Sequence, residues 1–245
     1  MKKFALSLIA SSLALAHANA AFVIVGYNFN NSVAGGSNEM GSLNTTGSVE
    51  VYDPTNQRLS PATHGFLASQ AWLDLSNLSG SNGGTNSNNW GTFGGTTNNA
   101  VSGDTPGGAL AVSGPDNDGR FVTFRFPTTG QKDLQLSYST RGTSTGFDTH
   151  TWSYSIDNVN FTNIASIGGR TGTSFSTQSV DFSSISALEN QAEVFIRLTF
   201  SREEGSVGNT GNNRIDNVIF TVPEPSTALF GLMAALGFAV RRRRA

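Results

Sequence analysis

Apolar and polar residues alternate one by one through several short runs of this chain. In "EVFIRLTF", Val194, Ile196, Leu198 and Phe200 share one parity and the residues between them are mostly polar. In "FVTFRF", Val122, Phe124 and Phe126 oppose Phe121, Thr123 and Arg125. "DLQLSYST" sets Leu134, Leu136 and Tyr138 against Gln135, Ser137 and Ser139, and "TWSYSID" sets Trp152, Tyr154 and Ile156 against Ser153, Ser155 and Asp157. A helix would scatter these residues around its circumference; a strand sorts them onto two faces, so each run reads as a strand with one buried and one wet face.

Other strand candidates are "AFVIVGYNF", "GFLASQAWLDL", "GALAVSG" and "NRIDNVIFTV". "SIDNVNFTNI" reads as two strands joined at Asp157-Asn158, since Asp and Asn tolerate the backbone of tight hairpin turns. "SSISALENQ" is the one stretch that suggests a short helical turn. Roughly ten short strands separated by turn formers predict an all-β fold, an antiparallel β-sandwich of the jelly-roll kind. Ser79 to Gly108 is almost entirely turn formers and is expected to be a long loop, with Trp90, Phe93 and Val101 as its apolar residues.

Composition narrows the chemistry. Residues 21–221 hold nine basic and sixteen acidic residues, a formal charge of −7, with no basic cluster, which excludes a nucleic-acid binder. There is no cysteine, hence no disulfide, no thiol nucleophile and no Cys-based metal site. Gly142-Thr143-Ser144-Thr145-Gly146 matches G-x-S-x-G with His150 nearby, but it lies in a Ser/Thr/Gly turn between two strands and not at a strand-to-helix elbow, so it reads as a chance match. His64 and His150 have no zinc-site spacing, and no phosphate-binding glycine loop occurs.

Glu50, Asp53, Glu203 and Glu204 read as turn or edge residues, although two acids brought together by the fold could act on a glycosidic bond. Asp116 and Asp118 in "GPDNDGR" resemble the start of a calcium loop without its distal Glu, and read as a turn held by Asx hydrogen bonds. Asp216 reads as structural, with a calcium site as the competing reading. No cofactor or metal is expected. Trp90 and Phe93 stand open to two readings: plugs pinning a loop, or a ligand-contact loop whose faces stack on sugar rings.

Both ends carry targeting patterns. Lys2 and Lys3, an apolar run from Phe4 to Ala16, and Ala18-Asn19-Ala20 form a three-part secretory signal over residues 1–20, with Ala18 and Ala20 as the signal-peptidase site. Residues 21–221 then form one β-sandwich domain, and 222–245 form a tail. In that tail Pro223-Glu224-Pro225 precedes an uncharged stretch from Ser226 to Val240, followed by Arg241, Arg242, Arg243 and Arg244. As a helix the uncharged stretch would be about 22 Å long, short of the ~30 Å hydrocarbon core unless the arginines snorkel. The arginines would then face the cytoplasm and the body would face outward.

The tail resembles the PEP-CTERM sorting signal of Gram-negative bacteria: Val222-Pro223-Glu224-Pro225-Ser226-Thr227, an apolar helix and an arginine cluster, in that order. The resemblance implies a substrate of an exosortase, a membrane-embedded cysteine protease that cuts near Pro223-Glu224-Pro225. It also implies a bacterium that makes exopolysaccharide and biofilm. The Arg214–Val218 stretch resembles closing strands of secreted jelly-roll, carbohydrate-binding-like modules. The resulting expectation is an exported, non-catalytic surface or biofilm-matrix protein contacting extracellular polysaccharide. Its partners would be signal peptidase, the exosortase and, transiently, the inner membrane. A secreted polysaccharide hydrolase and a purely structural coat protein are the alternatives.

Overall fold

The alternating runs form strands because burying one parity of each removes a continuous apolar face from water while the backbone pairs laterally. The computed structural model describes residues 21–29, 50–53, 58–60, 62–64, 67, 70–79, 90–102, 104–202 and 211–223. Within them fourteen strands occur: β1 (Ala21–Tyr27), β2 (Glu50–Asp53), β3 (Arg58–Ser60), β4 (Ala62–His64), β5 (Trp72–Asp74), β6 (Trp90–Gly94), β7 (Gly108–Ser113), β8 (Phe121–Phe126), β9 (Gln135–Gly142), β10 (Thr149–Ser155), β11 (Thr162–Gly168), β12 (Gly172–Asp181), β13 (Val194–Ser201) and β14 (Asn212–Pro223). Two single 3-10 turns, Pro115–Asn117 and Ser186–Leu188, interrupt them, the second inside "SSISALENQ".

All pairings are antiparallel. One sheet runs β12-β9-β14-β1-β4, with β7 also on β14 and β6 on β7; the second runs β11-β10-β13-β8-β5-β3-β2. The inner faces meet in one core. Val122, Phe124 and Phe126 of β8, and Val194, Ile196, Leu198 and Phe200 of β13, are fully buried there. Phe124 stacks on Trp152, and Tyr138 and Tyr27 meet Trp152 and Phe124 edge-on. Such offset and edge-to-face contacts are favoured by ring quadrupoles. Ile156 departs from the expected pattern: it lies beyond the end of β10 and is 52% exposed. It belongs to the hairpin turn, where the Asp157 carboxylate accepts the backbone N–H groups of Val159 and Asn160 and Asn158 takes a positive φ.

The twelve-residue β14 is the spine of the first sheet. On one side it pairs β9 along most of its length. On the other it pairs β7 up to Ile215 and β1 from Val218 onward. Between those partners lie Asp216 and Asn217, at a break in register with Asn217 at φ 47°. The sheet therefore branches at the "RIDNV" stretch.

β14 also runs further than expected. Val222, the last residue of the expected "NRIDNVIFTV" strand, is buried in the core, and Pro223 extends that strand by one residue and pairs with Ala21. Residues Ala21–Pro223 form one compact unit. The signal peptide and its Ala18 and Ala20, and the tail with Glu224, Pro225 and Arg241 to Arg244, lie outside the described residues. Among the described residues no helix is long and apolar enough to cross a membrane.

Candidate functional site

The outer face of the β9–β14 sheet gathers the residues with unexplained chemistry. Where β14 branches, the segment 95–101 crosses the sheet as a strap. The Thr96 N–H donates to Asp216 Oδ2 and the Asn217 N–H to Asp216 Oδ1, both at 2.8 Å. Asn217 Nδ2 donates to the carbonyls of Thr96 and Asn98, each at 2.8 Å, and Asn99 Nδ2 donates to the Asn217 carbonyl at 2.7 Å. Further across, Ser139 Oγ donates to the Asn98 carbonyl and Asn98 Nδ2 to that of Phe175. Backbone groups that a paired neighbour would have satisfied are thus met by side chains. Burial, with the charge of Asp104 as a smaller contribution, raises the Asp216 carboxyl to about 7 against the lowering effect of its two N–H donors. Gly95 is required here: a Cβ would stand 2.5 Å from Asp216 Oδ2 and from the Gly108 carbonyl.

The strap separates two regions of the face. On one side a half-open groove of about 370 Å³ is lined by Gln135 and Ser137 of β9, Ser179 and Asp181 of β12, and Thr221 of β14. Ala21, Leu136 and Val180 complete the lining, so hydroxyl, amide and carboxylate groups that can hydrogen-bond a polar ligand sit among apolar surface. The Ser183 hydroxyl first, and the Ser183 backbone N–H second, hold the Asp181 carboxyl below its ordinary value.

On the other side, Arg141 of β9 and Arg214 of β14 are direct cross-strand partners. The Arg141 guanidinium lies 5.8 Å from the Phe175 ring, and that of Arg214 lies 5.4 Å from the Phe93 ring. Arg214 Nη1 also donates to the Gly94 carbonyl at 3.2 Å. Burial first, and the Arg141 charge second, lower the Arg214 guanidinium below its ordinary value. The Nε atoms of both arginines are buried without a hydrogen-bond partner.

The residues singled out from sequence distribute unevenly. Phe93 reaches this face, but not from a loop: Trp90–Gly94 is strand β6, paired with β7 so that Trp90 opposes Val112 and Phe93 opposes Ala109. The expectation of one continuous loop from Ser79 to Gly108 is corrected there. Its glycines hid a strand whose pairing depends on backbone groups more than on side-chain pattern. Asp118 Oδ1 accepts the backbone N–H of Arg202, 84 positions further along the chain. Asp216 is the strap's anchor.

His150 is fully buried and does not serve Ser144, which lies in an exposed turn. Asn213 Oδ1 accepts the Phe147 N–H at 2.7 Å, so its Nδ2 is the donor; that nitrogen lies 3.0 Å from His150 Nε2, 3.0 Å from the Phe147 carbonyl and 2.9 Å from that of Gly169. His150 Nε2 is therefore the acceptor and Nδ1 carries the proton, facing the Tyr138 hydroxyl at 3.4 Å. Burial lowers the imidazole to about 4. This is a structural network closing the end of the sandwich. Among the described residues no three His, Asp or Glu side chains cluster as metal ligands.

Sequence reasoning missed the arginine pair. Arg214 and Arg141 are each an isolated charge in the chain, and only the β9–β14 register brings them together.

The fold and face define a two-sheet antiparallel sandwich with a polar, arginine-bearing outer surface. Residues 221–244 match the PEP-CTERM protein-sorting motif, a match confined to the end of the chain. No curated protein matches the chain. Solved structures of similar arrangement include the K2 cleaved adhesin domain of Lys-gingipain (TM-score 0.38, 11% identity, covering 71% of this chain and 99% of that one). Another is the carbohydrate-binding module CBM36 in complex with calcium and xylotriose (TM-score 0.32, 14% identity, 53% and 89% covered). A third is TmCBM61 in complex with β-1,4-galactotriose (TM-score 0.33, 5% identity, 54% and 81% covered). Likenesses this distant do not bear on what this chain binds.

Proposed function

We propose that the chain is an exported cell-surface or biofilm-matrix protein whose sandwich contacts extracellular polysaccharide without catalysing a reaction on it. The observation that carries the export route is the match of residues 221–244 to the PEP-CTERM sorting motif. In this reading signal peptidase cuts after Ala20, and the apolar tail holds the chain in the inner membrane with Arg241 to Arg244 on the cytoplasmic side. An exosortase then cuts near Pro223-Glu224-Pro225 and delivers residues of the sandwich to the cell envelope, surface or matrix.

Polysaccharide contact is supported by the outer face of the β9–β14 sheet. Its groove is lined by Gln135, Ser137, Ser179 and Thr221, which suit sugar hydroxyls. Among the described residues Asp181 is the one carboxylate in that lining, which favours contact over hydrolysis, since glycoside hydrolysis ordinarily needs two acids flanking the bond. Phe93, on the far side of the strap, belongs to the same surface.

Intact-mass measurement on protein from the native host tests the route. The expected mature chain begins at Ala21 and ends near Pro223, and replacing Pro223, Glu224 and Pro225 by alanine leaves a longer, membrane-retained form. A wild-type chain with its tail uncut overturns the processing. For the contact, a glycan array on the purified chain is compared with a Ser137→Trp, Ser179→Trp variant that fills the groove. Absence of any glycan signal, or a signal unchanged by the filled groove, overturns the groove as the contact.

A further inference from the structure

Two arginines placed directly opposite each other on adjacent antiparallel strands bring like charges within roughly 5 Å at the Cβ atoms, an arrangement that destabilises a sheet by itself. Among the other described arginines, Arg125 pairs with Glu193 and Arg170 with Asp148, whereas Arg120 donates to backbone carbonyls and Arg197 to the Thr123 hydroxyl. Among the described residues no carboxylate pairs with Arg141 or Arg214, although residues 21–221 carry sixteen acids against nine bases.

The pair is also held in place. Phe175 supports the Arg141 guanidinium and Phe93 that of Arg214, and the Gly94 carbonyl tethers Arg214 Nη1. Stacking on a ring sets the plane of each fork while leaving its N–H edge available. Both Nε groups are buried and unpartnered. The Nε groups of Arg125 and Arg202 are also unpartnered, but the Arg125 guanidinium meets Glu193 and that of Arg202 feels the charges of Asp118 and Asp148. A guanidinium pair with unmet Nε donors and no carboxylate partner among the described residues is costly, and an anionic ligand at its Nη groups lowers that cost.

We propose that Arg141 and Arg214 form a binding site for the carboxylate of an acidic sugar in an extracellular polysaccharide. The proposal rests on the reading that this face contacts polysaccharide, and names the class of sugar it selects. A planar carboxylate between two guanidinium forks accepts their N–H groups and neutralises the repulsion between them. The hydroxyl-lined groove on the same face suits the neighbouring sugar units. The net charge of −7 over residues 21–221 opposes long-range capture of any polyanion, an acidic polysaccharide included, so recognition is local and depends on these two side chains.

The test is calorimetric titration of the purified full chain with an oligogalacturonate and with the same oligosaccharide after its carboxyls are reduced to alcohols. The acidic form is expected to bind at least about tenfold more tightly, the range of a charge-assisted hydrogen bond. Arg141→Gln and Arg214→Gln are each expected to reduce acidic binding to the level of the reduced form, with a melting temperature unchanged or raised because the like-charge contact is gone. Arg141→Lys and Arg214→Lys keep the charge without the fork, and serve if the Gln variants do not fold; they are expected to bind the acidic form more weakly than wild type. Equal binding of both oligosaccharides, or acidic binding that survives the double Gln variant, overturns the proposal while leaving polysaccharide contact standing. Binding of neither overturns both. Competition by inorganic phosphate as strong as by free galacturonate overturns the assignment to a sugar carboxylate.

Discussion

The Thr96 backbone N–H donates to Asp216 Oδ2 at 2.8 Å, joining residues 120 positions apart. Asp216 stands where β14 has lost β7 and not yet gained β1, and the strap that Thr96 begins occupies that gap. Removing the carboxylate leaves the Thr96 and Asn217 N–H groups without their acceptor. Asp216→Ala is expected to lower stability by about 1–3 kcal/mol and to speed amide exchange at Thr96 and Asn217 before the rest of the sheet. Gly95→Ala, which places a Cβ against the same carboxylate, is expected to act in the same direction. Urea denaturation with residue-resolved hydrogen exchange is the measurement; protection at Thr96 unchanged in Asp216→Ala would show that the strap is held by other contacts.

Two buried groups give opposing pH dependences. His150 is lowered from 6.5 to about 4, so the unfolded chain takes up a proton that the folded chain refuses. Its contribution is complete above 6.5 and is lost as pH falls toward 4, on the order of 3 kcal/mol in all. Asp216 is raised from 3.8 to about 7, so its contribution is complete below 3.8 and is lost as pH rises through 7. Between about pH 4 and 6.5 the two slopes nearly cancel, and the wild-type melting temperature is expected to be almost flat. Asp216→Asn exposes the histidine slope, losing stability on acidification; His150→Gln exposes the opposite one. Parallel pH profiles for wild type and both variants would contradict this assignment.

Asn213 supports one end of the sandwich through a single side-chain amide. It accepts from the Phe147 N–H and offers Nδ2 to His150 and two carbonyls, all in a buried setting. Asn213→Ala is expected to cost about 2–4 kcal/mol because several buried groups lose their partners together. It should also raise the His150 pKa from about 4, as water enters. Thermal denaturation and a histidine NMR titration check both; an unshifted histidine would show that the pocket stays dry without Asn213.

The two expected processing points lie at the ends of one strand pair. Ala21 opposes Pro223 and Phe22 opposes Val222, whose side chain is buried. An exosortase cut inside Thr221–Val222 would remove a core residue and the last pairing of β1. The mature C-terminus is therefore expected at Pro223 or beyond. Val222→Asp, which buries an unpaired charge, is expected to destabilise the sandwich by several kcal/mol. C-terminal peptide mapping of the mature protein decides the first point, and a mature chain ending before Val222 contradicts it.

Much of the architecture was legible from residues close together in the chain. β8, β9, β10 and β13 were readable because a strand's two-face pattern is local: each residue's side is set by its immediate neighbours. The hairpin at Asp157-Asn158 and the helical turn at Ser186–Leu188 were readable for the same reason. β6 was not, since Trp90–Gly94 is written in glycine and its order comes from β7. β14 runs one residue past the expected "NRIDNVIFTV" strand, since only the pairing of Pro223 with Ala21 shows that residue as strand.

By itself the sequence determined the all-β character, the absence of thiol chemistry, and the sorting motif at residues 221–244. These depend on local order and composition. Only the tertiary structure decided that Asp216 anchors a strap, that His150 belongs to a buried network, and that Arg141 faces Arg214. Cross-strand register is set by the burial of whole faces and by where bulges fall, so two distant arginines become neighbours through the packing of everything between them.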